Sequence, residues 1–284
     1  SIDLSLLPDA ELARSFRTAI AALQASLNIT YGPTLRLALF NVGDQRPNRL
    51  LFIIHHLAVD GLSWRILLED LQTAYQQLAS EGSIELPSKT SSFKEWAERL
   101  TSHAASQQVR RQADYWLAEL ERPVDPLPRD YPTGVNSESS ASVVQGSLSE
   151  NDTRALLQQV PRAYRTQITD VLLAALVKTY ARWTKGSPLL LELEGHGRED
   201  LFDEVDLSRT VGWHTTQFPV LLQVSDSFDE RDTLRYVKEH LRQIPDKGIG
   251  YGLLRYLGVD DEITDKLRNS PQAEISFNYF GQFD

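Results

Sequence analysis

The chain has 284 residues, of which 41% are hydrophobic and 24% charged, and it contains no cysteine. At about 150 residues per domain it fits one large or two ordinary globular domains, and its composition excludes disorder, collagen and coiled coil. The missing cysteine excludes a disulfide scaffold, a thiolate metal site, an iron–sulfur centre and a cysteine nucleophile, and a formal charge of −10 argues against an electrostatic nucleic-acid or anionic-membrane binder.

Apolar stretches such as residues 50–54 and 171–177 fall well short of the ~20 residues that a membrane helix needs. Residues 1–7 carry neither the cationic region nor the long apolar core of a signal peptide, so a cytoplasmic protein is expected. Methionine is absent even at position 1, and the sequence stops at Asp284 directly after a strand-like segment. The chain therefore reads as a piece of a longer polypeptide.

In chain order, Leu12, Phe16, Ile20, Leu23 and Leu27 recur at helical spacing and predict an amphipathic helix over 9–27, broken by Tyr31, Gly32 and Pro33. Strands are predicted over 35–40 and 49–55, with a turn at 43–48. The helix predicted over 62–78 buries Leu67, Leu71, Ala74 or Tyr75, and Leu78. Ser92 and Glu95 form a capping box for a helix with Phe93, Trp96, Ala97 and Leu100 on one face. A further helix runs to Leu120 through Val109, Ala113, Trp116 and Leu117. Between Glu121 and Gly146 lie Pro123, Pro126, Pro128, Pro132 and a polar run over 134–142. Proline neither continues a helix nor donates to a central ladder, so an extended crossover is expected there. This places an N-terminal lobe at 1–122, a crossover at 123–141 and a C-terminal lobe at 142–284. Beyond the crossover a strand is predicted over 141–148, a helix over 150–160 and a strongly apolar helix over 168–184 ended by Gly186. A strand over 189–194 feeds Gly195, His196 and Gly197. There follow a strand over 211–224, helices over 232–244 and 253–258, and a final strand over 274–280. Strands and helices alternate on both sides of the crossover, which predicts two α/β lobes.

Chemistry concentrates in a few places. His55-His56-Leu57-Ala58-Val59-Asp60-Gly61 follows an apolar strand and precedes a helix. Successive strand side chains point to opposite faces, so only one of the two imidazoles can serve a given cavity as a general acid or base. The other reading is a pair of hydrogen-bonded core histidines. Asp60 can orient the loop, pair with a cation or fix a tautomer. Glu194 stands at a strand end beside two glycines, where a ligand can approach the backbone and a desolvated carboxylate can exchange a proton with a weak carbon acid. Taken alone, the segment reads better as a surface loop in which Arg198 and Glu199 form a solvated pair. Arg209-Thr210-Val211-Gly212-Trp213, Gly248-Ile249-Gly250-Tyr251-Gly252 and the segment from Phe277 to Asp284 with Asn278 and Tyr279 complete the set. The second of these lacks the spacing of a phosphate loop, which argues against nucleotide binding. A zinc site at His55, His56 and Asp60 fails because adjacent strand histidines diverge, and no G-x-S-x-G marks a serine hydrolase. No metal site is expected.

In order and rough spacing, HHLAVDGLSW, EGHGRE, RTVGW, GIGYG and FNYFGQFD resemble the motifs of epimerization domains of nonribosomal peptide synthetases. HHxxxDG alone marks the wider condensation-domain superfamily; EGHGRE, GIGYG and FNYFGQFD belong to its epimerizing branch, as do the flanking RILLEDL and YGLLRYL. The resemblance implies an α/β fold of two chloramphenicol acetyltransferase-like lobes, arranged as a V-shaped pseudo-dimer with a tunnel between them. It implies inversion at the α-carbon of an aminoacyl or peptidyl thioester. The substrate would arrive on the 4′-phosphopantetheine arm of a peptidyl carrier protein, upstream in the same polypeptide and among other synthetase domains. No cofactor of the domain's own is implied, and no nucleic acid or membrane partner. His56 and Glu194 are implied as the proton-transfer pair, with Asn278 and Tyr279 lining the site, Arg209 positioning, and His55, Asp60 and Gly61 holding the loop. His214 stands where the family has an aromatic residue. The motif that opens the family's first lobe and the portion that follows FNYFGQFD are missing, which implies a chain incomplete in both lobes. A condensation-type acyltransferase forming peptide bonds and a non-catalytic carrier-docking module are the competing readings.

Overall fold

The structure is a computed structural model that describes residues 1–131, 133–225 and 227–281. Pro132 of the expected crossover and Gln282, Phe283 and Asp284 of the FNYFGQFD motif lie outside the described residues. Packing sorts the chain into two compact units, Ser1–Trp96 with Asp200–His214, and Ala97–Glu199 with Thr215–Asp284. That division differs from a single boundary at 123–141, because the helices after Trp96 build the core of the second unit and the Asp200–His214 segment returns to the first.

In the first unit β1 (Ile2–Asp3) runs parallel to β2 (Leu35–Asn41), which pairs antiparallel with β3 (Arg49–Ile54). Alternation sends Ala38 and Phe40 to one face, where they are buried with Leu4, Leu12 and Val42. Phe16, Ala19 and Leu23 of α1 (Asp9–Ala25) close this cluster, with the Phe16 and Phe40 rings 4.8 Å apart. On the opposite face the register aligns Leu35 with Ile54, Leu37 with Phe52 and Leu39 with Leu50. There Leu35, Leu37, Leu39 and Leu50 are 43%, 54%, 46% and 48% exposed.

The helix α2 (Gly61–Ala79) forms as expected, but not with the expected buried stripe: Leu71, Tyr75 and Leu78 are exposed and its buried residues are Ser63 and Ile66. The Asp60–Ser63 cap turns that other side toward the 210–214 segment. Contiguous apolar surface of this kind promotes association. The double variant Leu37→Lys, Leu50→Lys is expected to lower dye binding and light scattering of the isolated chain, with the urea midpoint nearly unchanged.

The helix α3 (Phe93–Ala104) opens at Ser92, whose Oγ accepts the Glu95 N–H at 3.1 Å. The single helix expected up to Leu120 is two, α4 (Gln107–Arg110) and α5 (Ala113–Leu120). The strand predicted over 141–148 does not form: Val143 and Val144 are 83% and 96% exposed, and no described strand offers a ladder to them. A helical run follows through α6 (Glu150–Arg154), a π-turn (Ala155–Gln159) and α7 (Val160–Tyr164). The apolar helix α8 (Ile168–Thr184) ends where Lys185 and Gly186 take φ of 59° and 93°.

In the second sheet β4 (Leu189–Gly195) lies between antiparallel β5 (Thr216–Leu222) and parallel β6 (Ile275–Phe277). Both outer strands are shorter than the predicted 211–224 and 274–280: residues 211–215 form a loop before β5, and β6 ends at Phe277. The helices α9 (Glu230–Arg242), α10 (Ile249–Tyr256, predicted over 253–258) and α11 (Asp261–Asn269, not predicted) complete the unit. Its core centres on fully buried Trp116, Leu173, Leu189, Leu191, Leu221, Leu222, Val237 and Leu267.

One buried group gives this unit a pH dependence. Burial pushes the His240 imidazole below its ordinary value; Glu119, whose Oε2 lies 3.7 Å away, opposes the shift and Arg122 adds to it. A histidine with a folded pKa below its unfolded one stabilises fully above the unfolded value, and this stability is lost as the pH falls toward the folded value. Urea midpoints are therefore expected to fall as the pH drops below about 6.5. His240→Gln is expected to flatten that part of the profile.

Candidate functional site

Each unit carries one part of the candidate machinery. At the end of β3 the His55 N–H donates to the Thr34 carbonyl at 2.8 Å, and His55 Nδ1 accepts the Leu57 N–H at 3.2 Å. These bonds spend His55 on the turn. His56 opens a 3-10 turn (His56–Ala58), is exposed, and meets the Trp213 ring edge-on at 5.2 Å between centroids. Both imidazoles lie beyond the end of β3, so strand alternation does not separate them; the turn does, engaging His55 in its hydrogen bonds and leaving His56 exposed.

Asp60 is only 4% exposed and caps α2. Its Oδ1 accepts the Ser63 N–H at 2.8 Å and lies 2.7 Å from Ser63 Oγ, while Oδ2 accepts the His214 N–H at 3.2 Å. Ser63 Oγ in turn lies 3.0 Å from the Gly212 carbonyl and accepts the Gly212 N–H at 3.1 Å. Gly61 starts the helix directly after this cap. The HHLAVDGLSW and RTVGW motifs are thus laced into one loop assembly, which sets Trp213 beside His56. Gly212 is required there because a Cβ would lie 2.3 Å from the Phe93 ring. His214 is buried with its ring edge-on to Phe93 at 5.1 Å. Arg209 bonds Asp70 on α2 and lies 4.0 Å from Glu69 Oε2, bracing the same segment. Asp60→Ala takes the acceptor from the Ser63 and His214 N–H groups in a buried cap, so a loss of about 2–3 kcal/mol is expected in urea unfolding. Ser63→Ala is expected to cost less.

In the second unit Glu194 stands near the end of β4, half-buried, with Gln217 of β5 as its cross-strand partner. Gln217 Nε2 donates to Glu194 Oε1 at 3.3 Å, and Asn278 Nδ2 donates to Oε2. Asn278 directly follows β6, and the half-buried Tyr279 comes next. The structure therefore joins the EGHGRE and FNYFGQFD motifs at one carboxylate. Gln217 was not among the residues singled out from sequence, because only the β4–β5 register reveals it.

The remaining motif residues serve the backbone. A Cβ on Gly195 would lie 2.7 Å from Thr216 Oγ1, so only glycine lets β5 approach next to Glu194. The solvated-pair reading of Arg198 and Glu199 does not hold for Glu199. Its largely buried carboxylate accepts from Lys247 Nζ at 2.7 Å, with His196 Nε2 3.5 Å away. Before α10, Asp246, Lys247 and Gly248 take φ of 43°, 51° and 91° in succession. Gln112 Nε2 bonds Asp246 Oδ2 at 2.7 Å and helps hold this left-handed turn. Gly248 fits under the Phe218 ring, which a Cβ would meet at 2.1 Å, and Gly250 fits against the Gln112 amide. GIGYG is thus a packing device that pins β5 behind Glu194. Among the described residues no group of three or more His, Asp or Glu could hold a metal ion, and no helix is long and apolar enough to cross a membrane.

Comparison with known proteins places these features in context. The condensation-domain family matches residues 2–284. One of the linear gramicidin synthase proteins of Brevibacillus parabrevis is 51% identical over 283 residues, covering 99% of this chain and 5% of that protein. Surfactin synthase subunit 2 of Bacillus subtilis (strain 168) is 45% identical over 277 residues, covering 97% of this chain and 8% of that protein. The crystal structure of the epimerization domain from the third module of tyrocidine synthetase B superposes with a TM-score of 0.90 at 38% identity, over 99% of this chain and 64% of that one. The first condensation domain of the calcium-dependent antibiotic synthetase shares the fold at a TM-score of 0.68 and 18% identity, over 100% of this chain and 63% of that one. The chain thus spans about a twentieth of that gramicidin synthase protein and under two thirds of the solved epimerization domain.

Proposed function

The chain belongs to the condensation-domain family, and on that footing we propose that it inverts the α-carbon of an aminoacyl or peptidyl thioester in nonribosomal peptide synthesis. The observation that carries this reading is the Asn278–Glu194 hydrogen bond, which joins the two motifs of the epimerizing branch at one strand-end carboxylate. The 38% identity with a solved epimerization domain supports it.

A thioester polarises its α-C–H more than an amide does, because its carbonyl is less engaged by resonance and the enolate is better delocalised. Removal of the proton gives a planar enolate, and delivery of a proton to the opposite face gives the other epimer. The reaction needs one proton-transfer group for each face, and His56 and Glu194 are the pair proposed. The exposed His56 imidazole, braced by Trp213, and the Glu194 carboxylate, held by Asn278, can each take up and return a proton. Tyr279 is proposed to line the site, and Arg209 to position the loop that carries Trp213. The substrate is proposed to be presented on the phosphopantetheine arm of a peptidyl carrier protein of the same synthetase, in the cytoplasm, with no cofactor of the domain's own.

The test is to incubate the chain with a carrier protein loaded with an L-aminoacyl group, hydrolyse the thioester and resolve the enantiomers. A rising D-fraction is expected. Amide formation between two loaded carriers would indicate a condensation enzyme instead. Carrier binding with neither reaction would indicate a docking module.

A further inference from the structure

Resting on the proposed acid–base role of Glu194, we propose that Gln217 is a positioning residue that holds the Glu194 carboxylate from β5. The two residues are direct antiparallel partners, so their side chains leave the sheet on the same face, with Cβ atoms about 5 Å apart. An ionised carboxylate only accepts hydrogen bonds, so the Gln217 amide presents its NH2 end. That group reaches Oε1 at 3.3 Å, while Asn278 reaches Oε2. One amide donor on each oxygen fixes the rotation of the carboxyl plane, a freedom that a strand-end glutamate otherwise keeps. Both donors are neutral, so neither sets a cation against the proton that Glu194 is to receive. An arginine or lysine at either place would hold the carboxylate by charge and oppose its protonation.

The backbone beneath Gln217 is well anchored. The next residue, Phe218, is buried, and its ring packs under Gly248 and beside Gly195. The Gln217 side chain itself is exposed and adds nothing to the core. The buried Phe218 thus fixes the backbone from which this polar side chain reaches the carboxylate, and the side chain itself is not necessary for folding. Asn278 holds Glu194 from the end of β6 and Gln217 holds it from β5, so the two sides of the sheet converge on one group.

The experiment uses Gln217→Ala and Gln217→Glu, each alone and combined with Glu194→Gln, in the full 284-residue chain. Gln217→Glu keeps the shape, removes the donor and sets a second carboxylate against Glu194, whereas Gln217→Ala removes the donor without adding charge. With Glu194 intact, both changes are expected to lower kcat for epimerization by about tenfold to 100-fold with KM within a factor of two; the urea midpoint is expected to stay at the wild-type value in Gln217→Ala and to fall in Gln217→Glu, where two carboxylates repel across the strands. On the Glu194→Gln background neither change is expected to add a further loss, because the group that Gln217 positions has gone. A second readout does not depend on turnover: the Gln217 side-chain amide signals in a 15N-labelled sample are expected to shift on Glu194→Gln. Wild-type turnover in both Gln217 variants, or a rise in KM at unchanged kcat, overturns the proposal. So does an unmoved amide signal. A shifted amide signal in a chain that epimerizes nothing would uphold the positioning contact and overturn the epimerase reading instead.

Discussion

Glu194→Gln and His56→Ala are each expected to lower the epimerization rate by at least about 100-fold, the lower end of what a positioned general acid or base contributes. Glu194→Gln keeps the shape and volume of the side chain and removes its capacity to carry a proton. The amide still offers an oxygen to one of the donors of Asn278 and Gln217, so the sheet end stays in place. His56 is exposed, and its loss opens no core cavity. Both variants are therefore expected to unfold within about 0.5 kcal/mol of the parent, which separates a chemical defect from a folding defect. The pair also separates the two half-reactions. A variant that retains the base for the L-epimer still exchanges its α-proton with solvent while failing to invert it. Starting each variant from L- and D-loaded carrier thus assigns His56 and Glu194 to their faces. Equal turnover in parent and variants would remove both residues from the chemistry.

Gly248→Ala is expected to cost on the order of 3 kcal/mol or more, with a matching fall in the urea midpoint. Two separate effects add. At φ of 91° an L side chain is strained whatever the space around it, and the new Cβ would stand 2.1 Å from a Phe218 ring carbon. That ring is buried between the β4–β5 pair and the turn before α10, so it has little room to retreat. The steric part can be isolated. In a Phe218→Leu background Gly248→Ala is expected to cost less than in the parent, leaving the backbone strain as the remainder. An equal cost in both backgrounds would mean that the ring is not what excludes the methyl group. Because β5 also carries Gln217, a partly folded Gly248→Ala chain is expected to lose turnover beyond its loss of stability.

Elements with a long, one-sided apolar period were legible from the sequence, because local burial alone specifies them. The helix over 168–184 forms at those limits, and that over 9–27 ends two residues early, at Ala25. Features that depend on a distant partner were not legible. Residues 141–148 have the alternation of a strand, but alternation does not supply a ladder, and the segment stays irregular and exposed. The stripe of α2 is apolar at the right spacing, yet the Asp60 cap and its bonds to the 212–214 segment select another side. The same long-range bonds, together with Thr210 Oγ1 donating to the Ser91 carbonyl at 2.6 Å, draw residues 200–214 into the first unit. In the candidate site the motifs singled out His56, Glu194 and Asn278. Gln217 became visible only once the register set it opposite Glu194. The helix Asp261–Asn269 does carry a sequence signal: Asp260 precedes Ile263 and Leu267 at helical spacing and accepts the Ile263 N–H at 3.3 Å.

The most direct test of the epimerase reading is α-proton exchange with solvent. A carrier protein bearing an L-aminoacyl thioester is mixed with the chain in D2O, and the released amino acid is analysed for deuterium and chirality together. Deuterium at the α-carbon appearing with the D-epimer in the parent chain, and no D-epimer from His56→Ala or Glu194→Gln, is the expected result. An unlabelled, wholly L amino acid recovered from a folded, carrier-binding chain would contradict it.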